Sequence, residues 1–253
     1  MTGSAEREGV DSLFFELASE SRLGILRELL ATGMRMQQLA RRLDLTDTEA
    51  FRQLQRLSEA RLITKNPDSA YSITEYGRLV MRLSGALSFA YTHRELLLTR
   101  DVWRLPPEFI DRMGELSGAR LSTDMFEMIN GADRLLSTSG GHVWILGDKP
   151  IDSLGARIEG LVPRGVKFRV LFPEKLLPLY GPKPGEEGIV ERRMIPSVPA
   201  TILCTEGLAG VSLLSVDGRP DYALFYGDDP SFLKWANDLF LYYWNSGKPC
   251  TPA

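Results

Sequence analysis

Arg52, Gln53, Gln55 and Arg56 crowd into one short stretch of this 253-residue chain, and their side chains all end in hydrogen-bonding groups. Arginine can bind guanine O6 and N7 together, and glutamine can pair with adenine in a similar bidentate way. A helix that turns such residues outward can therefore read base edges in the major groove of duplex DNA. Thr48 and Glu49 belong to the same outer side, and Thr46 stands where an N-cap would accept from the Glu49 N–H. The flanking Arg41 and Arg42, with Lys65, Asn66 and Ser69 further on, suit phosphates. Between 35 and 65 the bases Arg35, Arg41, Arg42, Arg52, Arg56, Arg61 and Lys65 outnumber the acids Asp44, Asp47, Glu49 and Glu59. The whole chain carries a formal net charge of −3, so the remainder is acidic and only this region favours a phosphate backbone.

The elements that must position these residues follow from apolar spacing. Region 11–30 carries helical stripes, with a break near Ser19 to Leu23. Met36, Leu39, Ala40 and Leu43 share one face of a short helix, and Asp44 with Leu45 makes a tight turn. The next helix starts at Thr46, with Ala50, Phe51, Leu54 and Leu57 as its expected buried face. Ile63 and Thr64, a polar turn at Asn66 to Ser69, and Tyr71 with Ile73 read as a hairpin. Short helix, tight turn, polar-faced helix and hairpin together are the order of a winged helix-turn-helix.

A long helix is expected from Glu75 toward Val102. Leu79, Leu83, Ala86, Leu87, Ala90 and Leu97 recur along it near the coiled-coil spacing, which points to a seam against a second copy, a homodimer. Pro106 and Pro107 mark the next boundary. Helix over 108–129, strands at 134–137 and 143–146, helix over 151–161 and a strand at 166–172 then form an α/β unit. The loop PLYGPKPGEEG precedes strands at 190–194, 201–204, 208–214 and 222–226, and a helix closes the chain from 230 to 244. Phe232, Trp235 and Leu239 make one stripe of that helix and read as core. The fold class is α+β, with a DNA-binding domain at 1–77, a linker or dimerisation helix at 78–105, and an α/β effector or interaction domain at 106–253.

Hydrophobic residues at 43% and charged residues at 25% fit a globular protein. No apolar run suits a signal peptide or a membrane span, so a cytoplasmic chain with no membrane partner is expected. Cys204 and Cys250 are isolated and give neither a disulfide framework nor a thiolate metal site, and no cofactor is indicated. His93 and His142 are the two histidines, and no nucleophile, base and carboxylate set accompanies them.

The run LTDTEAFRQLQRLSEARLITKNPDSAYSITEYG resembles the recognition helix and wing of ArsR-type archaeal and bacterial winged-helix regulators. Thr46 and Thr48 take that family's serine places, Arg52 and Gln53 precede Leu54, and Tyr71, Ile73, Thr74 and Gly77 close the wing. Arg61 stands where the family has glycine, and the cysteine pair of its metal sensors is missing. The segment from Val198 to Gly247 resembles the effector-side domain of archaeal regulators linked to methanogenesis and filament formation, and more distantly TrmB-type sensors. Asp229, Pro230, Phe232, Trp235, Leu239, Phe240, Tyr242, Tyr243 and Trp244 carry that likeness.

Those domains are related in fold to phospholipase D, whose chemistry needs a histidine with a lysine two residues on. His142 is followed by Val143 and Trp144, so the resemblance implies a domain that is not an enzyme. The expected function is sequence-specific binding of double-stranded DNA by a transcriptional regulator, tuned through its second domain by a small molecule or a partner. The alternative is a non-catalytic phospholipase D-like interaction module whose winged helix contacts protein.

Overall fold

A computed structural model describes residues 9–148, 165–182, 185, 186, 188–218 and 222–250. The chain divides into two compact units, Met1–Ser84 and Gly85–Ala253.

The first unit opens with α1 (Val10–Leu17) and α2 (Glu20–Ala31). The chain breaks between them because the Ser19 hydroxyl accepts from the Arg22 N–H at 3.4 Å and starts a new helix. β1 (Met34–Arg35), α3 (Met36–Arg42) and α4 (Asp47–Glu59) follow, then β2 (Ile63–Lys65) and β3 (Ala70–Ile73). The strands form an antiparallel sheet in the order β1-β3-β2, with Ile63 opposite Ile73 and Lys65 opposite Tyr71. Ile25, Leu26, Leu29, Leu39, Leu54, Leu57, Leu62 and Ile73 fill the core beneath them. Each fully buried leucine there is worth about 1.5–3 kcal/mol relative to exposure.

Two helix ends fix the angle at which α4 is presented. After α3, Asp44 takes a left-handed φ of 53° and the Leu45 N–H reaches back to the Ala40 carbonyl at 2.9 Å. After α4, Arg61 takes φ 58° while the Leu62 N–H bonds the Leu57 carbonyl at 3.0 Å and the Arg61 N–H bonds that of Ser58 at 2.9 Å. That is the Schellman pattern, in which glycine is the favoured residue at the left-handed position. Arginine therefore holds the helix end that glycine would hold, with backbone strain of about 1–2 kcal/mol. Part of that is offset, because glycine would lose more chain entropy on folding. Arg61→Gly is expected to stabilise the protein by about 1 kcal/mol, read as a shift of the urea midpoint without a change of slope.

Gly77 shows the opposite case. A Cβ there would lie 2.2 Å from the Leu62 carbonyl oxygen, so only glycine lets the chain after the hairpin pass so close.

α5 (Glu75–Thr92) follows the hairpin. It ends well short of Val102, a correction to the single long helix read from spacing. The His93 N–H closes the last turn on the Phe89 carbonyl at 3.0 Å, and α6 (Arg94–Leu97) starts afresh. The His93 ring packs against Phe89 at 4.7 Å and Phe225 at 5.0 Å, which fixes the chain where it leaves the helix.

The second unit continues with α7 (Pro107–Asp111), β4 (Arg120–Ser122) and α8 (Met125–Thr138). Residues 134–137, read as a strand, lie inside α8. Asp124 starts that helix by accepting from the N–H groups of Phe126 at 2.7 Å and Glu127 at 3.0 Å. β5 (His142–Leu146) and β6 (Lys167–Pro173) come next, while the helix expected over 151–161 lies outside the described residues. Part of the loop expected from Pro178 onward is instead the short helix α9 (Leu177–Tyr180).

β7 (Val190–Ile195), β8 (Ala200–Thr205), β9 (Ala209–Leu213), β10 (Leu224–Gly227), α10 (Pro230–Ser246) and β11 (Lys248–Pro249) complete the unit. Among the described residues these strands form one eight-stranded sheet, in the order β11-β7-β6-β5-β8-β9-β10-β4. β5, β6 and β7 run parallel and the other pairs antiparallel, which makes the unit a mixed α/β layer. α10 buries Phe232, Trp235, Ala236, Leu239, Phe240 and Trp244 in one core cluster with Leu146, Leu171, Ile202 and Val211. Alternate residues of the same strands, Val143, Ile145, Phe168, Val170 and Phe172, form a second cluster with Leu136 of α8.

Candidate nucleic-acid interface

α4 is capped as its sequence implies, the Thr46 hydroxyl accepting from the Glu49 N–H at 3.2 Å. Ala50, Gln53, Leu54 and Leu57 face the core. The opposite side presents Thr48, Phe51, Arg52, Gln55 and Glu59 to solvent, while Glu49 is half-buried. The outward residues recur at intervals of three and four, so they form one stripe along the helix. Gln55 donates from Nε2 to Glu59 at 2.9 Å. Arg52 enters no ion pair or hydrogen bond among the described residues.

Three placements read from the sequence are corrected here. Gln53, expected on the outer face, is buried, and its Oε1 accepts from Arg22 Nη1 at 3.0 Å. Phe51, expected in the core, is 56% exposed. Arg56 turns toward α1 instead of outward: its guanidinium donates to both carboxylate oxygens of Glu16, at 2.6 and 3.3 Å, and lies 4.8 Å from the centre of the Phe15 ring. The hydrogen bond to Glu16 is the main reason its pKa is raised.

The same network explains the burial of Arg22. Its Nη2 and Nε donate to the carbonyls of Phe15 at 2.7 Å and Glu16 at 2.8 Å, in the last turn of α1, where intrahelical partners run out. Burial lowers the Arg22 pKa, the Glu16 carboxylate opposes that shift, and Arg56 adds to it. Sequence inspection missed Arg22, because one arginine in an apolar helical stripe gives no sign of its partners.

In the hairpin, Lys65 is exposed and its Nζ stands 5.7 Å from the Tyr71 ring centre. Asn66 serves the turn itself: its side chain donates to Ser72 Oγ at 2.8 Å and its N–H bonds the Ala70 carbonyl at 2.7 Å. Ser69, exposed, takes φ 66° to complete the turn. On α3, Arg41 is exposed and bonds the Gln37 carbonyl at 3.2 Å, while Arg42 pairs with Glu28.

Along α5, Leu79, Leu83 and Leu87 are exposed, as are Tyr76 and Tyr91. The expected seam loses two members. Ala86 and Leu97 pack against the core of the second unit, and Leu97 belongs to α6 because α5 has already ended. Ala90 is half-buried.

In the second unit, His142 is half-buried, tilts against Trp144 at 4.6 Å, and holds Nδ1 3.8 Å from Glu206. Burial pushes its pKa down, the Glu206 charge pushes it up, and Arg169 adds to the lowering. Burial would raise the Glu206 pKa, but backbone N–H donors from Gly140, Glu206 itself, His142 and Gly141 outweigh it and hold the carboxyl at about 2. Burial pushes the Cys204 thiol up. No group of three or more His, Cys, Asp or Glu residues is placed to hold a metal among the described residues, and no described helix is long and apolar enough to cross a membrane.

No curated protein matches the chain. Among solved structures it is similar to TrmBL2, an archaeal chromatin protein described as showing a novel mode of DNA binding, at 17% identity over 94% of this chain and 96% of that one, with a TM-score of 0.44. It is also similar to Nuc, a phospholipase D family member from Salmonella typhimurium, at 8% identity over 52% of this chain and 97% of that one, with a TM-score of 0.37. Residues 10–90 match the family model of the HVO_A0261 N-terminal domain, and residues 186–246 match that of the middle domain of the methanogenesis regulatory protein FilR1. The chain thus joins a segment similar to the HVO_A0261 N-terminal domain to one similar to the FilR1 middle domain.

Proposed function

We propose that this protein is a sequence-specific DNA-binding transcriptional regulator. Its first unit is a winged helix-turn-helix in which α4 enters the major groove and the β2–β3 hairpin meets the backbone as a wing. One observation carries the reading: Thr48, Arg52 and Gln55 point outward from a helix whose other side is sealed in the core. Exposed Arg41, Arg42, Lys65 and Ser69 supply the flanking phosphate contacts. The match to a regulatory protein's middle domain supports a regulatory second unit. That unit acts by binding a small molecule or a partner, not by catalysis. Such a ligand biases the protein only through different affinities for two arrangements of the dimer.

Duplex fragments selected from the source genome, titrated across a salt series, test this reading. Affinity should fall steeply as salt rises. Arg52→Ala is expected to relax sequence preference, a lost bidentate base contact being worth about 1–3 kcal/mol. Lys65→Ala should weaken all sequences alike. Gln53→Ala should lower folding stability and leave the preference unchanged, because its amide faces Arg22. Absence of duplex affinity at low salt would sink the reading and favour a protein partner for α4.

The same reading makes the protein a homodimer through the exposed leucines of α5. Light scattering at micromolar concentration should give twice the 28.3 kDa chain mass, and Leu83→Glu should return it to one chain. A wild-type monomer would remove the dimer from the proposal.

A further inference from the structure

We infer that Phe51 reads the 5-methyl group of a thymine beside the base that Arg52 contacts. The inference rests on the proposed function and names an apolar contact in its recognition surface. Phe51 is 56% exposed, and its ring joins no aromatic or cation–ring pair among the described residues. Phe15, in the same unit, lies against two arginines, Arg22 at 5.6 Å and Arg56 at 4.8 Å. No ring pair among the described residues therefore accounts for a largely exposed phenyl ring at position 51.

Its place on the helix does. Thr48 lies three residues before it and Gln55 four residues after, so all three stand on one face, with Arg52 alongside. Any docking that brings Arg52 and Gln55 to base edges carries Phe51 into the same groove. Phosphates offer a phenyl ring no apolar surface, and apart from the small C5–H of cytosine the other major-groove base edges present hydrogen-bonding atoms. The apolar feature a base pair presents there is the thymine C5-methyl group. Phe51 thus adds a requirement for thymine next to the position read by arginine, and shedding water from ring and methyl together supplies the affinity.

The probe is the shortest selected duplex, with each thymine replaced singly by deoxyuracil, which removes the methyl group and keeps every hydrogen bond. At one thymine of each half-site, replacement should weaken wild-type binding about fourfold, the worth of one buried methyl group. Phe51→Ala should bind the thymine and deoxyuracil forms of that position equally, while still preferring the guanine read by Arg52. Using the unmodified protein on modified DNA makes the first arm independent of any folding defect in the variant. Equal wild-type binding to all deoxyuracil duplexes would overturn the thymine contact and leave the DNA reading standing, as would a Phe51→Ala protein that still discriminates. A chain that retains no duplex at all overturns both.

Discussion

Replacing Arg22 with alanine is expected to cost about 3 kcal/mol of folding stability, the range for breaking a buried ion pair from one side. The guanidinium is 8% exposed and its Nε lies 3.0 Å from the Glu16 carboxylate. It also holds Gln53 Oε1 and the carbonyls of Phe15 and Glu16. Alanine would leave these acceptors to find new partners at a partly buried site, where each group left unsatisfied costs about 1–3 kcal/mol. Arg56 would still hold Glu16 from its outer side, so the carboxylate would not be abandoned entirely. Lysine should recover part of the loss, since one ammonium cannot match the guanidinium fork.

A second readout separates this network from simple packing. Arg22 ties the end of α1 to the middle of α4, so under the proposed function its loss should weaken duplex binding evenly without altering which sequence is preferred. Urea unfolding of Arg22→Ala, Gln53→Ala and the double variant would show the coupling, because residues in one network do not add. Additive losses would mean that Arg22 and Gln53 act separately and that α4 is aligned by its apolar face alone.

The frame of the first unit could be read from the chain because its signals are local. Spacing in 36–43 and 46–57 gives two helices, Thr46 gives the cap, and the residues around Asn66 and Ser69 give the turn. Which side of α4 faces outward was harder. Phe51 and Gln53 exchange the places their residue types suggest, an apolar ring outward and an amide inward. The period of about 3.6 residues per turn places position 51 beside 55 and position 53 beside 57, so geometry overrode hydrophobicity there. The partner that makes a buried glutamine tolerable is Arg22, distant in sequence, and such long-range pairing leaves no local trace.

The second unit was legible by strand and less so by neighbour. Runs such as VKFRVLF are plainly strands, yet β4 and β11 are too short to show a period and lie at the two edges of the sheet. Residues 134–137 are too few to show a period, their arginine and leucines favour helix, and Asp124, well upstream, caps the helix that absorbs them. The end of α5 is set by one ring from a distant strand, that of Phe225 in β10, which meets both Phe89 and His93.

Trp235→Ala is expected to cost about 4 kcal/mol, the larger of the two losses, because a fully buried large side chain leaves a cavity its neighbours cannot close. The aromatic stripe of α10 reads as core from its spacing, although such rings can also line a ligand pocket, and in the structure it is buried in the core. Trp235 meets Phe109 edge-on at 5.7 Å and donates from its indole N–H to the Phe109 carbonyl at 3.1 Å, joining α10 to α7. Phe109 also meets Tyr242 at 5.7 Å and lies under the Arg112 guanidinium, which is itself held by Glu115 and Asp238. One indole therefore supports a contact chain that spans α7 and α10. Trp235→Phe should separate the two parts of its contribution. The phenyl ring fills most of the space but leaves the carbonyl unbonded, for a loss of about 1–2 kcal/mol. The check is the urea midpoint of both variants followed by circular dichroism. Equal losses would assign the whole effect to the hydrogen bond. A loss in Trp235→Ala below about 1 kcal/mol would mean that the stripe lines a space able to collapse, and would reopen the pocket.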